Sequence, residues 1–174
     1  MAEQSHSVII LMGVTGAGKT TVGRLLASDL GYEFIDADDY HPPANVAKMR
    51  AGQPLTDDDR WPWLERLNEV LRGRAPAVVA CSALKESYRT VLMRGLRDAR
   101  LVYLRGTRAL IAARLAERHG HYMNPALLDS QFAALEEPRR AIVVDADQAP
   151  EAIVASIRAR LRLPADGSGQ QSGA

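Results

Sequence analysis

Cysteine is almost missing from this sequence. Cys81 is the only one in 174 residues, so no internal disulfide can form and a reducing, cytoplasmic setting is expected. An excess of one charge sign is missing as well. A net charge of +1 gives no long-range positive field to draw in nucleic acid, and that partner class is set aside. No apolar run approaches the ~20 residues of a membrane helix. The stretch from Met1 to Ser7 lacks the basic-then-apolar plan of a signal peptide. No internal repeat is visible. What is present is a chain with 47% apolar and 25% charged residues, ordinary for a soluble globular protein. Its length suits one domain and can bury about two-thirds of the unfolded surface. Its partners are expected to be small soluble molecules, with no nucleic acid and no membrane.

The two ends, residues 1–6 and 164–174, have almost nothing to bury and are expected to be flexible tails around a single domain at 7–163. Inside it, short apolar runs alternate with helical patterns. Val8-Ile9-Ile10-Leu11-Met12 is continuous, as a strand covered on both faces should be. Val22, Leu25, Leu26 and Leu30 then fall at helical spacing, with Gly31 as the stop. Glu33-Phe34-Ile35 reads as a second strand. Thr56 followed by Asp57, Asp58 and Asp59 reads as a capped helix start with acids at its positive end. Further strands are expected at 77–81, 101–104 and 142–144, with helices after Thr107 and from 150 to 162. Strands separated by helices imply parallel pairing. The predicted fold is α/β, three layers around about five strands.

Gly13-Val14-Thr15-Gly16-Ala17-Gly18-Lys19-Thr20 matches G-x-x-x-x-G-K-[ST] without a mismatch, after a buried strand and before a helix, where a P-loop must sit. Glycines let the backbone curl its N–H groups toward phosphate oxygens. The helix that follows offers its positive end to the same anion. Lys19 neutralises charge on the transferring phosphate, and the Thr20 hydroxyl suits Mg²⁺. With Thr21 beside it, this segment is the expected nucleotide site. Phosphate binding alone does not fix the reaction, because P-loops serve switches, motors and kinases alike.

Asp36-Ala37-Asp38-Asp39 follows the second strand, and the C-terminal strand ends of a parallel sheet share the ligand-binding edge. Asp36 and Asp38 alternate by two, so both project toward that edge if strand geometry persists. The third strand ends in Ala80-Cys81-Ser82, with no acid there for the metal. Asp36 is therefore the candidate to hold Mg²⁺ through water, and Asp38 the candidate to take a proton from an attacking hydroxyl.

At this point a resemblance appears. Five segments carry it: the P-loop; Asp36-Ala37-Asp38-Asp39-Tyr40-His41-Pro42; Asn45 to Met49 with Gly52 to Arg60 and Pro62-Trp63-Leu64; Cys81-Ser82-Ala83-Leu84-Lys85 with Tyr88-Arg89; and Gly120-His121 with Gln131-Phe132 and Leu135-Glu136-Glu137-Pro138. Together they span roughly residues 8 to 160. The chain resembles the small P-loop gluconokinases, relatives of shikimate and nucleoside-monophosphate kinases. The first segment is generic, and the second to fourth are specific to that family. The resemblance implies a P-loop kinase fold with a helical acceptor-binding insert at about 38–75 and a lid at about 114–128. It implies transfer of the ATP γ-phosphate to the 6-hydroxyl of D-gluconate, with ATP and Mg²⁺ as cofactors and a homodimer as the assembly the family suggests.

A small polyhydroxylated anion needs cations and hydrogen-bonding groups. Asp38, His41, Lys48, Arg60, Ser82, Lys85, Arg89 and His121 are the substrate-contact candidates. Lys85 and Arg89, four apart, are expected to share a helix face. Arg114 and Arg118, also four apart and just before His119-Gly120-His121, are expected on a lid helix, reaching the phosphates on closure. Lys19, Asp38 and Arg118 are then the catalytic candidates. Two histidines two apart with no third ligand do not suggest a metal site. Pro150 suits either packing against the adenine or the first turn of the last helix. Trp61 and Trp63 are expected to pack the acceptor segment, and Cys81 to fill the core. Two rivals are a shikimate-type kinase, against which the segment from His41 to Arg60 argues, and a nucleotide-dependent regulatory protein, which has no use for the acids and cations around Asp38, Lys48 and Lys85.

Overall fold

The computed structural model describes residues 8–118 and 125–162. They form five parallel strands, β1 (Val8–Met12), β2 (Glu33–Asp36), β3 (Ala77–Ala80), β4 (Ala99–Arg105) and β5 (Ile142–Asp145), in the order β2-β3-β1-β4-β5. The helices are α1 (Lys19–Leu30), α2 (Pro43–Arg50), α3 (Asp57–Gly73), α4 (Glu86–Met93), α5 (Arg108–Glu117), α6 (Pro125–Ala134) and α7 (Pro150–Leu161). The expected strands and helix starts are all present, most of them within two residues of where the sequence puts them.

The layers follow from strand alternation. Ile9 and Leu11 face a core shared with Val22 and Leu26 of α1, Ile111 of α5, Leu128 of α6 and Ile153 and Ile157 of α7. Val8, Ile10 and Met12 face the opposite core, with Trp63, Leu64, Leu67 and Leu71 of α3 and Tyr88 and Leu92 of α4. All five residues of β1 are buried, which is why that strand reads as one apolar run rather than an alternation. Each large side chain so placed contributes roughly 1.5–3 kcal/mol.

Local signals set the boundaries. Gly31 caps α1 in the left-handed region, with its N–H on the Ser28 carbonyl. Thr56 opens α3 with a capping box. Its Oγ1 accepts from the Asp59 N–H at 3.2 Å, and its own N–H donates to the Asp59 carboxylate at 2.9 Å. Cys81 is buried, and burial pushes its thiol up to about 12, so it is an inert filler.

Candidate active site

The P-loop joins the end of β1 to α1. The loop rests against the neighbouring strand end, because Cys81 N–H donates to the Leu11 carbonyl at 3.0 Å and Gly13 N–H donates to the Ser82 carbonyl at 3.3 Å. Gly13 has no room for a side chain: a Cβ there would lie 2.9 Å from the Leu104 carbonyl oxygen. Gly16 and Gly18 take φ of 89° and 98°, which favours glycine. Thr15, Gly16, Gly18, Lys19, Thr20 and Thr21 line a cleft of about 430 Å³, within the range of small-ligand sites. Gly13, Val14 and Ala17 lie behind it in the loop's buried side. The Lys19 ammonium is held by the carbonyls of Gly13 at 2.8 Å and Val14 at 3.0 Å. Burial lowers it to about 8, against the opposing pull of Asp38.

Asp36 and Asp38 face the same cleft, but not by strand alternation. β2 ends at Asp36 and the chain turns into a 3-10 segment, Ala37–Tyr40. Asp36 caps that turn by accepting from the Asp38 N–H at 3.0 Å. Register places Asp36 opposite Ala80, and Ala80 opposite Leu11. Two strand spacings, about 10 Å, therefore separate Asp36 from the P-loop strand, across a position where β3 carries only the methyl of Ala80. The Asp38 carboxyl reaches the open cleft, yet burial by the cleft walls raises its pKa, Asp36 raises it further, and Lys19 opposes both.

His41 comes to the cleft as a neutral ring. It is stacked on Trp63 at 4.0 Å, and burial first, then Arg60, lowers it to about 4. Asn45 Nδ2 donates to the Asp59 carbonyl at 2.9 Å and to His41 Nδ1 at 3.2 Å. Because Asn45 Nδ2 is fixed as a donor, His41 Nδ1 must accept, and the ring proton sits on Nε2. Nε2 lies 3.7 Å from the Asp38 carboxylate. Trp63 supports the turn by donating to the Ala37 carbonyl at 2.8 Å, the packing role expected of it.

The expected cations divide. Arg60 and Arg118 line the cleft, as does Ser82. Arg60 is steadied through Nη1 by the Leu55 carbonyl at 2.6 Å and lies over the Tyr88 ring. Lys48 is drawn instead to Asp59 at 2.7 Å, where it reinforces the α3 cap. Lys85 pairs with Asp57 at 3.3 Å. Neither lines the cleft.

The shared helix face expected for Lys85 and Arg89 is corrected. Lys85 is the residue before α4, and Arg89 points inward. The Arg89 side chain is 3% exposed. It donates to the carbonyls of Ala83 at 2.8 Å, Leu84 at 3.1 Å and Glu136 at 2.9 Å, and to the Glu86 carboxylate. Its guanidinium braces the loop after β3 and does not line the cleft.

The common face expected for Arg114 and Arg118 is corrected as well. α5 ends at Glu117, and Arg118 turns out in an extended conformation. Arg114 spans from the Ala17 carbonyl at 3.4 Å to the Ala146 carbonyl at 2.5 Å, tying the P-loop to the loop after β5. Pro150 occupies the first turn of α7 and does not line the cleft. His121 and part of the expected lid lie outside the described residues, as do both expected tails.

Sequence reasoning gave no role to Asn45 or Gln131. Asn45 lies on α2 but His41 precedes that helix, so no helical spacing links the pair in the sequence. Gln131 bonds Thr15 across 116 positions, for which no local signal exists. A broader, shallower groove between α1 and α7 carries none of these groups.

The arrangement has a phosphate cradle, a carboxylate pair opposite it and cations on both sides, a set suited to moving a phosphoryl group onto a hydroxyl. Known proteins agree. The sequence profile of the shikimate kinase family matches residues 15–162. The chain is similar to a Mus musculus protein named probable gluconokinase, 44% identical over 91% of this chain and 100% of that one. It is similar to the thermoresistant gluconokinase of Escherichia coli, 41% identical over 87% of this chain and 91% of that one. The crystal structure of a gluconokinase from Sinorhizobium meliloti superposes with a TM-score of 0.84 at 45% identity, covering 90% of this chain and 92% of that one.

Proposed function

The chain belongs to the shikimate kinase family and within it to the gluconokinases, and we propose that it transfers the γ-phosphoryl group of ATP to the 6-hydroxyl of D-gluconate, giving 6-phospho-D-gluconate. The observation that carries this reading is the meeting, in one cleft, of Lys19 and Thr20 with Asp38, His41 and Arg60. Donor-side and acceptor-side groups face each other there.

The chemistry follows from their characters. Asp38 accepts the proton of the attacking 6-hydroxyl. Burial and the neighbouring Asp36 raise its pKa, which makes it a better base than an ordinary aspartate. The neutral His41 places Nε2, with its hydrogen, 3.7 Å from the Asp38 carboxylate without adding a charge beside it. The sugar O–P bond forms as the bond from the γ-phosphorus to ADP breaks, and the proton passes through Asp38 to water. Lys19 and Arg118 balance the charge spread over the transferring group. Arg60 is the acceptor-side cation of the cleft, and its planar fork suits the gluconate carboxylate.

The all-oxygen pair of Thr20 and Asp36 suits Mg²⁺. Among the described residues no three carboxylate, histidine or cysteine side chains converge, which fits an ion held largely by phosphates and water. When bound, Mg²⁺ would supply charge neutralisation at the phosphate oxygens. The same reading carries a single kinase domain at 7–163, with an acceptor segment at about 38–75 and a lid at about 114–128.

The test is a panel. Purified protein is incubated with Mg-ATP and gluconate, shikimate, glycerate or nucleoside monophosphates, and ADP is followed. Gluconate alone should release ADP well above buffer. If gluconate matches buffer, or shikimate exceeds it, the acceptor assignment fails.

A further inference from the structure

Thr15 is the third residue of the P-loop, and Gln131 lies on α6. The two meet at two points. Thr15 N–H donates to Gln131 Oε1 at 2.8 Å, and Gln131 Nε2 donates to Thr15 Oγ1 at 2.8 Å. The amide orientation is self-consistent, because a backbone N–H can only donate and the atom facing it must be the carbonyl oxygen. Both residues line the cleft.

This contact fixes what Thr15 can offer a ligand. Its N–H is already used. Its hydroxyl oxygen accepts from Gln131, so the hydroxyl hydrogen is left to donate elsewhere. The place where it does so is set by Lys19. That ammonium rests on the carbonyls of Gly13 and Val14, immediately before Thr15, and a P-loop lysine reaches the β- and γ-phosphates. The inner phosphates belong over the amides at the start of α1, around Gly18 to Thr20. Thr15 is therefore at the terminal-phosphate end of the cradle.

The same limb of the loop is braced by apolar contacts and one arginine. A Cβ on Gly16 would lie 3.3 Å from Ile111 and Leu115 of α5, and Arg114 holds the Ala17 carbonyl. Gln131 differs from these in facing the ligand space.

We propose that Gln131 is a positioning residue for the phosphoryl donor: by occupying the Thr15 N–H and one lone pair of its hydroxyl, it turns the hydroxyl hydrogen toward the terminal phosphate, so that residue 131 helps the site tell a nucleoside triphosphate from a diphosphate. The inference rests on the ATP-dependent kinase assignment and does not depend on which acceptor is used.

The experiment is calorimetric binding of ADP and of a non-hydrolysable ATP analogue, with Mg²⁺ and no acceptor, alongside kcat and KM. In Gln131→Ala, affinity for the analogue should fall about tenfold, the scale of one hydrogen bond to a charged group. ADP affinity should stay within about twofold, and kcat should fall with the analogue affinity. Gln131→Glu should be worse than Gln131→Ala for the analogue, because its carboxylate accepts the Thr15 hydroxyl hydrogen and adds negative charge beside the phosphate. A residue that merely braced the loop would give the reverse order, since glutamate keeps the bond from the Thr15 N–H. Thr15→Val, which keeps the volume and loses the hydroxyl, should reproduce the analogue-specific loss.

Equal weakening of ADP and analogue in Gln131→Ala would overturn the proposal. So would wild-type analogue binding by Thr15→Val, which stands even if a Gln131 variant fails to fold. Wild-type protein that binds the analogue yet does not phosphorylate gluconate would sink the acceptor assignment and leave this inference intact.

Discussion

Arg89→Met separates a structural arginine from a substrate-binding one. The buried guanidinium serves the carbonyls of Ala83, Leu84 and Glu136. The Leu84 carbonyl has a second partner, the Glu136 N–H at 2.8 Å, so it is not orphaned when the arginine is lost. Ala83 and Glu136 lose the partner that Arg89 provides. At about 1–3 kcal/mol for each unsatisfied carbonyl, the variant should be destabilised by about 2–6 kcal/mol. For a chain of this length each kcal/mol is worth about 2–4 °C, so Tm should drop by about 4–24 °C. Methionine keeps the length and apolar bulk of the stem, which limits any added cavity cost. The assay is a thermal melt with and without nucleotide, paired with gluconate KM measured well below the variant's Tm. The expected result is a large Tm loss with gluconate KM within about threefold. A melt within 2 °C of wild type (less than about 1 kcal/mol), together with a gluconate KM raised more than about tenfold, would refute the bracing role.

Other outcomes follow from the same geometry. Asp38→Asn should lower kcat by roughly 10²–10⁴, the range of a lost general base, and leave binding of an ATP analogue within about threefold; loss of nucleotide binding would mean the acid is misassigned. His41 is held neutral by burial, with its folded pKa near 4 against 6.5 unfolded. The unfolded chain therefore takes up a proton first as pH falls. The stability cost is absent above pH ~6.5 and grows down to pH ~4, reaching up to about 3 kcal/mol. His41→Phe keeps a ring on Trp63 and should flatten that part of the Tm-against-pH curve; an unchanged slope would show that other groups set it.

Much of the fold was legible because its signals are local. The apolar run of β1, Gly31 after α1 and Thr56 before α3 each act within a few residues, and each stands where the pattern put it. The P-loop was legible for the same reason. The acid pair was found for a reason that proved incomplete: Asp38 reaches the cleft through a 3-10 turn capped by Asp36, not through an extended strand. Side chains whose roles are set by distant partners were not legible. Arg89 stands in the sequence as a substrate contact on a face shared with Lys85, whereas the carbonyls of residues 83, 84 and 136 surround it. His41 stands in the sequence as a substrate-contact candidate, and only its burial on Trp63 shows that its ring is neutral. Lys48 and Lys85 stand in the sequence as substrate-contact candidates, whereas Asp59 and Asp57 hold them.

The most direct test of gluconate phosphorylation is the identity of its product. Purified protein, Mg-ATP and D-gluconate should be brought to completion and the product examined by phosphorus–proton correlation NMR. One phosphorus should couple to the C6 methylene protons, with one ADP formed per gluconate consumed. A phosphorus on any other carbon, or ADP released without a phosphorylated sugar acid, would contradict the assignment of Asp38 and Arg60 as the groups that present the 6-hydroxyl to the P-loop.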